Sequence, residues 1–209
     1  KEDRSTPRTS GSYIDKYSLE QAVLDGATVK IIYEGRKPEL QIKGDTLEDL
    51  FDQSFSGKTP EEKEAIKERY ATKLSILEAE DRIEEISKDI LIHYKDQVYP
   101  NGFKAQIVAP SRQAAVTYYD MITEHMKKIT GLELEAKIIY SSEDPNESPR
   151  LKKHHTTKAE QQRLIRRFLE PKDKDNLCFL IVVDMLLTGF DAPIEQVLYL
   201  DKPLIEHNL

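Results

Sequence analysis

The chain has 209 residues, of which 38% are hydrophobic and 33% charged, enough apolar content to bury the core of one large or two small domains. Its net charge of −7 argues against a freestanding polyanion-binding protein, so that any contact with nucleic acid has to be local. The single cysteine, Cys178, excludes an internal disulfide, argues against a zinc or iron–sulfur site, and is expected to be a small buried residue.

Residues 1–57 form a polar lead-in with short elements. Tyr17–Ala22 (YSLEQA) predicts a short helix that ends near Gly26. Thr28–Tyr33 (TVKIIY) is rich in β-branched residues, which predicts a strand.

Residues 58–99 are predicted to be helical. Thr59-Pro60-Glu61-Glu62 combines a capping hydroxyl, a proline at the first helical position and a glutamate three residues after the cap. Apolar residues follow at helical spacing: Ile66, Tyr70, Leu74 and Leu77, and then Ile83, Ile86 and Ile90 within Glu80–Tyr94. The charged remainder favours a solvated outer face over a surface that docks a neighbouring domain.

After the break at Pro100-Asn101-Gly102, strands and helices alternate through residues 100–209. The predicted strands are Phe103–Ala109, Glu135–Tyr140, Phe179–Val183 and Gln196–Leu200. The predicted helices are Gln113–Ile129, ended by Gly131, and a helix through Leu169 that opens with a capping box at Thr157 and Glu160. A polar loop, Ser141–Arg150, lies between them. This order, with strands apolar on both faces, predicts an α/β fold in which helices cover a parallel sheet.

The compartment and the chain ends give two further expectations. No run approaches the roughly 18 apolar residues of a membrane span. The opening residues contain no apolar targeting stretch, which predicts a cytoplasmic protein. The chain starts without methionine and stops at His207-Asn208-Leu209 without a turn signal, so both ends are expected to be cuts in a longer protein.

Two turns carry chemistry, because ligands of open parallel sheets bind beyond the carboxyl ends of the strands. In the first turn, Ser111 and Arg112 place a hydroxyl and a guanidinium at the start of a helix whose dipole favours an anion. The alternative is that Ser111 simply caps that helix, and the two roles are compatible.

The second turn lies in VVDMLLTGFDAP, between the last two predicted strands. Gly189 lets backbone approach a phosphate, Thr188 offers a hydroxyl, and Asp191 is able to accept from a sugar hydroxyl or to orient a cation. The alternative is a plain strand connection in which Asp191 bonds to its own backbone.

The run from Asp184 to Pro193, with the following strand and Asp201-Lys202-Pro203, resembles motif V of superfamily 2 helicases and translocases. The strand Phe103–Ala109 with Pro110-Ser111-Arg112 resembles motif IV. More specifically, four stretches resemble the restriction (R) subunit of type I restriction–modification enzymes: GSYIDKYS, DGAT, YEGR and PNGFKA. The resemblance extends over essentially the whole chain.

This resemblance implies an α/β, RecA-like motor lobe at residues 100–209 that stops before motif VI, with a segment between lobes at 1–57 and a helical insertion at 58–99. The whole subunit would be an ATP-dependent DNA translocase and endonuclease. Its partners would be double-stranded DNA, the first RecA-like lobe and nuclease domain of the same subunit, and the methyltransferase and specificity subunits. ATP and Mg²⁺ would be bound mainly by the first lobe.

Carried over by motif, the resemblance implies that Ser111 and Arg112 contact a DNA phosphate or the cleft between the lobes. Thr188 and Gly189 would contact a phosphate on the tracked strand, and Asp191 would face the nucleotide side of the cleft. The sequence contains no G-x-x-x-x-G-K-[ST] phosphate loop and no identifiable nuclease cluster. We therefore expect no catalytic residue in this chain, and no ATP hydrolysis or DNA cleavage by the chain alone.

A basic group extends the possible DNA path: Arg150, Lys152, Lys153, His154, His155 and Lys158. A solvated basic loop is the favoured interpretation, and the adjacent histidines lack partners at metal-ligand spacing, so no metal site is predicted. Three alternatives remain at this stage: the equivalent lobe of another superfamily 2 helicase, a small-molecule-binding α/β domain, and an interaction module built on the charged helices.

Overall fold

The computed structural model describes residues 19–36, 59, 77–140 and 147–202. The chain divides into two compact units, Lys1–Lys37 and Pro38–Leu209. The predicted helix that begins after Thr59 lies outside the described residues, as does most of the predicted loop Ser141–Arg150. The domain boundaries at residues 57/58 and 99/100 stay predictions.

In the first unit, the short helix α1 spans Leu19–Leu24, and Tyr17 and Ser18 of the predicted helix lie outside the described residues. The predicted strand Thr28–Tyr33 is wrong: these residues pair with no other strand in the part of the chain that the structure describes. Its apolar side chains are exposed, with Val29 at 79% and Ile32 at 82%. β-Branched composition favours extended backbone, but a strand also needs a neighbouring backbone that pairs with its N–H and C=O groups.

The second unit has the predicted alternation of helices and strands. Helix α2 spans Glu80–His93 and continues through single turns at Tyr94–Val98 and Tyr99–Asn101. The other elements are β1 (Lys104–Val108), α3 (Arg112–Thr130), β2 (Glu135–Ile139), α4 (Pro149–Lys152), α5 (Lys158–Leu169), β3 (Leu177–Val182) and β4 (Glu195–Leu200). The short helix α4 lies at the end of the region that was predicted to be a loop.

The four strands form a parallel sheet in the order β2-β3-β1-β4, which confirms the predicted α/β class. Strands β1 and β3 are buried along their whole length, as expected for central strands covered on both faces. Strand β4 is an outermost strand of the sheet, and its residues alternate between partly buried and exposed. Leu198 and Leu200 are on its exposed side.

Helices cover both faces of the sheet. Helices α2 and α3 pack on one face, where Ile83, Leu91 and Tyr118 are fully buried. The ring centroids of Tyr94 and Phe179 lie 4.4 Å apart in this layer. Helix α5 covers the other face around Val108. The segment after Glu80 therefore buries one side in the core of the sheet domain, and only its opposite side is a solvated face.

The predicted end of α3 and the predicted start of α5 are confirmed by their caps. Thr157 and Glu160 form the reciprocal capping box at the start of α5. Gly131 ends α3 in the left-handed conformation. Cys178 is a free, buried thiol, as predicted. Within the described ranges, no helix is both long and apolar enough to cross a membrane.

The first residue of β4 provides a pH-dependent test of the fold. Burial raises the pKa of the Glu195 carboxyl to about 7, and one of its oxygens has no hydrogen-bond partner among the described residues. Because the folded state holds this proton more tightly than the unfolded chain, the wild type loses stability as pH rises toward 7. Glu195→Gln cannot ionise, so its unfolding free energy should exceed that of the wild type by more at pH 8.5 than at pH 5. Urea denaturation measures this difference, and an equal difference at both pH values would contradict burial of the carboxyl.

Candidate functional site

Segments that follow β1, β3 and β4 meet at one edge of the sheet, because the carboxyl ends of parallel strands lie together. Ser111 and Arg112 follow β1, and the turn that begins at Asp184 follows β3. Asp201 and Lys202 follow β4. The structure thus brings both sequence-predicted turns to the same edge, and it adds the end of β4 and the start of α2, which sequence reasoning did not assign to the site.

Ser111 caps helix α3. Its extended backbone leads into the helix, and its hydroxyl oxygen accepts a hydrogen bond from the Ala114 N–H at 3.1 Å. The same hydroxyl donates to the Glu78 carboxylate. The capping role is therefore present, and a phosphate contact by Ser111 stays a prediction.

Arg112, the first residue of α3, forms an ion pair with Glu147. The Glu147 side chain is only 4% exposed and also pairs with the His155 ring. The Arg112 side chain is 36% exposed, so its guanidinium reaches the surface while it neutralises a buried carboxylate. In this arrangement, the Arg112 guanidinium, which was predicted to contact DNA, is already paired with a carboxylate of the same chain.

The turn after β3 keeps its polar residues exposed. Thr188, Gly189 and Asp191 are all solvent-accessible. Among the described residues, the Thr188 and Asp191 side chains have no hydrogen bond or ion pair, so the local bond from Asp191 to its own backbone is not formed. The apolar residues of the turn pack against the core, and the Phe190 ring stacks on Phe168 of α5 at a centroid distance of 6.4 Å. The core thus anchors the turn and leaves the groups needed for a ligand free.

The turn also has an unusual backbone. Gly189 has a φ of +69°, and Leu186 has a φ of +61°. Glycine adopts this left-handed region without strain, whereas a residue with a Cβ atom pays roughly 1 kcal/mol or more. Strain of this kind tends to occur at functional sites, where the surrounding contacts hold it in place. Here the turn holds one strained leucine three residues before the glycine.

A partly buried charge cluster, missed by sequence reasoning, joins α2, α3 and the end of β4. Arg82 of α2 forms a two-pronged ion pair with Asp201, with one N···O distance of 2.9 Å. The Tyr118 hydroxyl of α3 donates to the same carboxylate at 2.8 Å. The hydrogen bond to Asp201 is the main reason that the pKa of Arg82 is raised. The residues are separated by up to 119 positions, so no local pattern announces this cluster.

The predicted basic group is largely engaged within the chain. Arg150 forms an ion pair with Asp120 at 2.7 Å, and the His155 ring pairs with Glu147. The His154 ring packs edge-on against Tyr119 at 5.0 Å, and burial lowers its pKa. Lys153 and Lys158 are exposed. The described residues contain no group of three metal-ligating side chains placed to hold an ion.

The arrangement suits anion binding along one edge of the sheet. It offers hydroxyl groups, a guanidinium, and backbone next to an exposed glycine. Groups of this kind position phosphates. The edge is therefore a candidate anion-binding site.

Two family models match parts of the chain. Residues 1–64 match the SWI2/SNF2 ATPase model. Residues 161–209, which include the turn after β3, match the model of domain 3 of the type I restriction enzyme R subunit.

Curated relatives align with the chain from end to end. The chain is 35% identical to the type I restriction enzyme HindI endonuclease subunit of Haemophilus influenzae over 213 residues, 100% of this chain. It is 34% identical over 211 residues to the putative MjaIXP endonuclease subunit of Methanocaldococcus jannaschii, covering 99% of this chain. In both cases it spans 19% of the relative, so the chain corresponds to about a fifth of these proteins.

The backbone of the turn can be tested by adding a Cβ atom. Gly189→Ala should lower the free energy of unfolding by about 1 kcal/mol, because the methyl group meets no atom within 4 Å and the cost is the left-handed φ alone. Gly131→Ala, with a φ of +73° and equal space, is the matched control at the end of α3 and should cost the same. Gly35→Ala has no such φ and should be neutral. Urea denaturation gives the three values, and a neutral Gly189→Ala would show that the turn does not hold this conformation.

Proposed function

Because this chain is homologous over its whole length to the endonuclease subunits of type I restriction enzymes, we propose that it is part of a subunit that moves along DNA at the expense of ATP and cleaves it. It forms the second of two RecA-like motor lobes, preceded by a segment between the lobes at 1–57 and a helical insertion at 58–99. The observation that carries the proposal is the turn at the carboxyl edge of the parallel sheet, where Thr188 and Asp191 are exposed and have no hydrogen bond or ion pair among the described residues.

Double-stranded DNA lies along this edge. The Thr188 hydroxyl and the Gly189 backbone contact a phosphate of the tracked strand, since both are exposed and Gly189 has no side chain to keep backbone away. Ser111 and Arg112 contact a second phosphate or the cleft between the lobes. Phosphate contacts do not depend on the base sequence. A protein that moves along DNA of any sequence requires contacts of this kind.

DNA has to compete with the chain's own acids at the start of α3. Glu147 now neutralises Arg112, and Glu78 accepts from Ser111. A phosphate that approaches this position replaces a carboxylate of the same charge, so the contact exchanges one anion for another. We infer that phosphate binding here is weak and reversible, as stepwise movement demands.

ATP lies between the two lobes. Asp191 is the residue that this chain offers to the nucleotide side, because its carboxylate is exposed and makes no hydrogen bond within the described residues. ATP and Mg²⁺ are held mainly by the first lobe, in keeping with the absence of a phosphate loop from this sequence. The methyltransferase and specificity subunits supply the DNA target, and this chain alone is inactive.

Replacing Asp191 tests the proposal in the full subunit assembled with its methyltransferase and specificity subunits. Asp191→Ala should reduce ATP-driven translocation about 100-fold or more, because an exposed charge at the nucleotide cleft is lost. The free energy of unfolding should change by less than about 0.5 kcal/mol, since the side chain is exposed and has no partner among the described residues. Translocation is measured by displacement of a DNA triplex, and stability by thermal unfolding.

Asp173→Ala is the matched control, because Asp173 is an exposed aspartate in the loop that precedes β3, at the opposite edge of the sheet. It should leave translocation unchanged. Normal translocation by Asp191→Ala would refute the proposal. Tight nucleotide binding by the 209-residue chain alone would favour the small-molecule-binding alternative instead.

A further inference from the structure

The first turn of helix α2 and the residues just before it contact two strand ends at the proposed DNA-facing edge. Glu78 accepts the hydrogen bond from Ser111, which follows β1. Arg82 holds Asp201, which follows β4, and also donates to the Leu77 carbonyl at 3.1 Å. A segment that sequence reasoning assigned to a solvated face therefore supplies polar contacts within the site.

The Arg82–Asp201 pair fixes the orientation of the Asp201 carboxylate as well as its distance from Arg82. Each of the two terminal guanidinium nitrogens faces one carboxylate oxygen. The side chains of Arg82 and Asp201 are only 18% and 11% exposed. Tyr118 supplies a further donor, so that three hydrogen bonds converge on one carboxylate. A planar fork constrains the orientation of a carboxylate in a way that the single point charge of a lysine does not.

Contacts at the end of β4 connect the Arg82–Asp201 pair to the turn after β3. The Asp201 N–H donates to the Val108 carbonyl at 3.0 Å, which ties it to the end of β1. The next residue, Lys202, forms an ion pair with Asp184, where the turn begins. Two consecutive residues thus connect helix α2 on one side with the turn that carries Thr188 on the other.

We propose that Arg82 is a positioning residue of the motor: it orients Asp201 and, through the Lys202–Asp184 pair, the turn that carries Thr188, Gly189 and Asp191. This inference rests on the proposed function and extends it, because it gives the helical insertion a role in setting the geometry of the DNA- and nucleotide-facing turn. Arg82 itself touches neither ligand. Its effect is on how well ATP use is converted into movement.

A matched arginine fork exists at the opposite edge of the sheet. Arg167 of α5 holds both oxygens of Asp175, which precedes β3, at 2.8 and 2.9 Å, and it also pairs with Glu135. Its exposure is comparable, at 30% for Arg167 and 18% for Asp175. We expect loss of this fork to disturb the fold to a similar extent, but the fork lies at the amino ends of the strands, away from the turn.

The test compares Arg82→Lys with Arg167→Lys in the full subunit assembled with its methyltransferase and specificity subunits. Each variant keeps the charge and loses the fork. For Arg82→Lys, we expect the translocation rate at saturating ATP to fall about tenfold. The ATP concentration for half-maximal rate should stay nearly unchanged, and more ATP should be consumed per base pair moved. For Arg167→Lys, all three quantities should match the wild type, while thermal stability falls in both variants.

Tyr118→Phe is the second variant, since it removes one donor to Asp201 and keeps the buried ring. It should show a smaller loss of the same kind, even if Arg82→Lys fails to assemble. The inference would be overturned if the translocation rate and the ATP consumed per base pair did not differ among the Arg82, Tyr118 and Arg167 variants. That outcome would leave the proposed function standing. A wild-type subunit that hydrolyses no ATP on DNA and does not move would refute the proposed function, and the inference with it.

Discussion

The burial of β1 and β3 on both faces is the constraint on which the rest of the second unit depends. Strands enclosed in this way favour apolar side chains along their length; β3 is entirely apolar, and Lys104 and Gln106 are the buried polar residues of β1. The exposed polar groups are therefore found at the ends of these strands. The parallel arrangement then gathers the carboxyl ends at one edge, where all five site residues predicted from the sequence lie.

The polar residues at that edge fall into two classes. One class is paired within the chain: Ser111 with Glu78, Arg112 with Glu147, and Asp201 with Arg82. The other class, Thr188 and Asp191 on the turn after β3, is exposed and has no hydrogen bond or ion pair among the described residues. The paired residues fix the shape of the edge, because a buried charge that lost its partner would be costly. The unpaired residues are the ones available to a ligand, and in our proposal they meet the DNA and the nucleotide.

Much of this fold follows from local sequence patterns. The apolar runs, the capping box at Thr157 and the glycine at position 131 each identify an element, because the causes of these elements lie within a few residues of one another. The pair Arg82–Asp201 was not predictable, since its partners are brought together only by the folded sheet. The strand predicted at Thr28–Tyr33 failed for a related reason: its composition is correct, but pairing depends on a second segment.

The central claim, that the carboxyl edge of this sheet faces DNA, is tested most directly by photo-crosslinking. A crosslinking amino acid is placed at position 188 of the full, assembled subunit, or at position 196 near the amino end of β4, where Gln196 is also exposed. Our account predicts crosslinks to double-stranded DNA of any sequence from position 188 and none from position 196. Crosslinks from position 196 without any from position 188 would show that DNA runs along the opposite edge and would contradict the account.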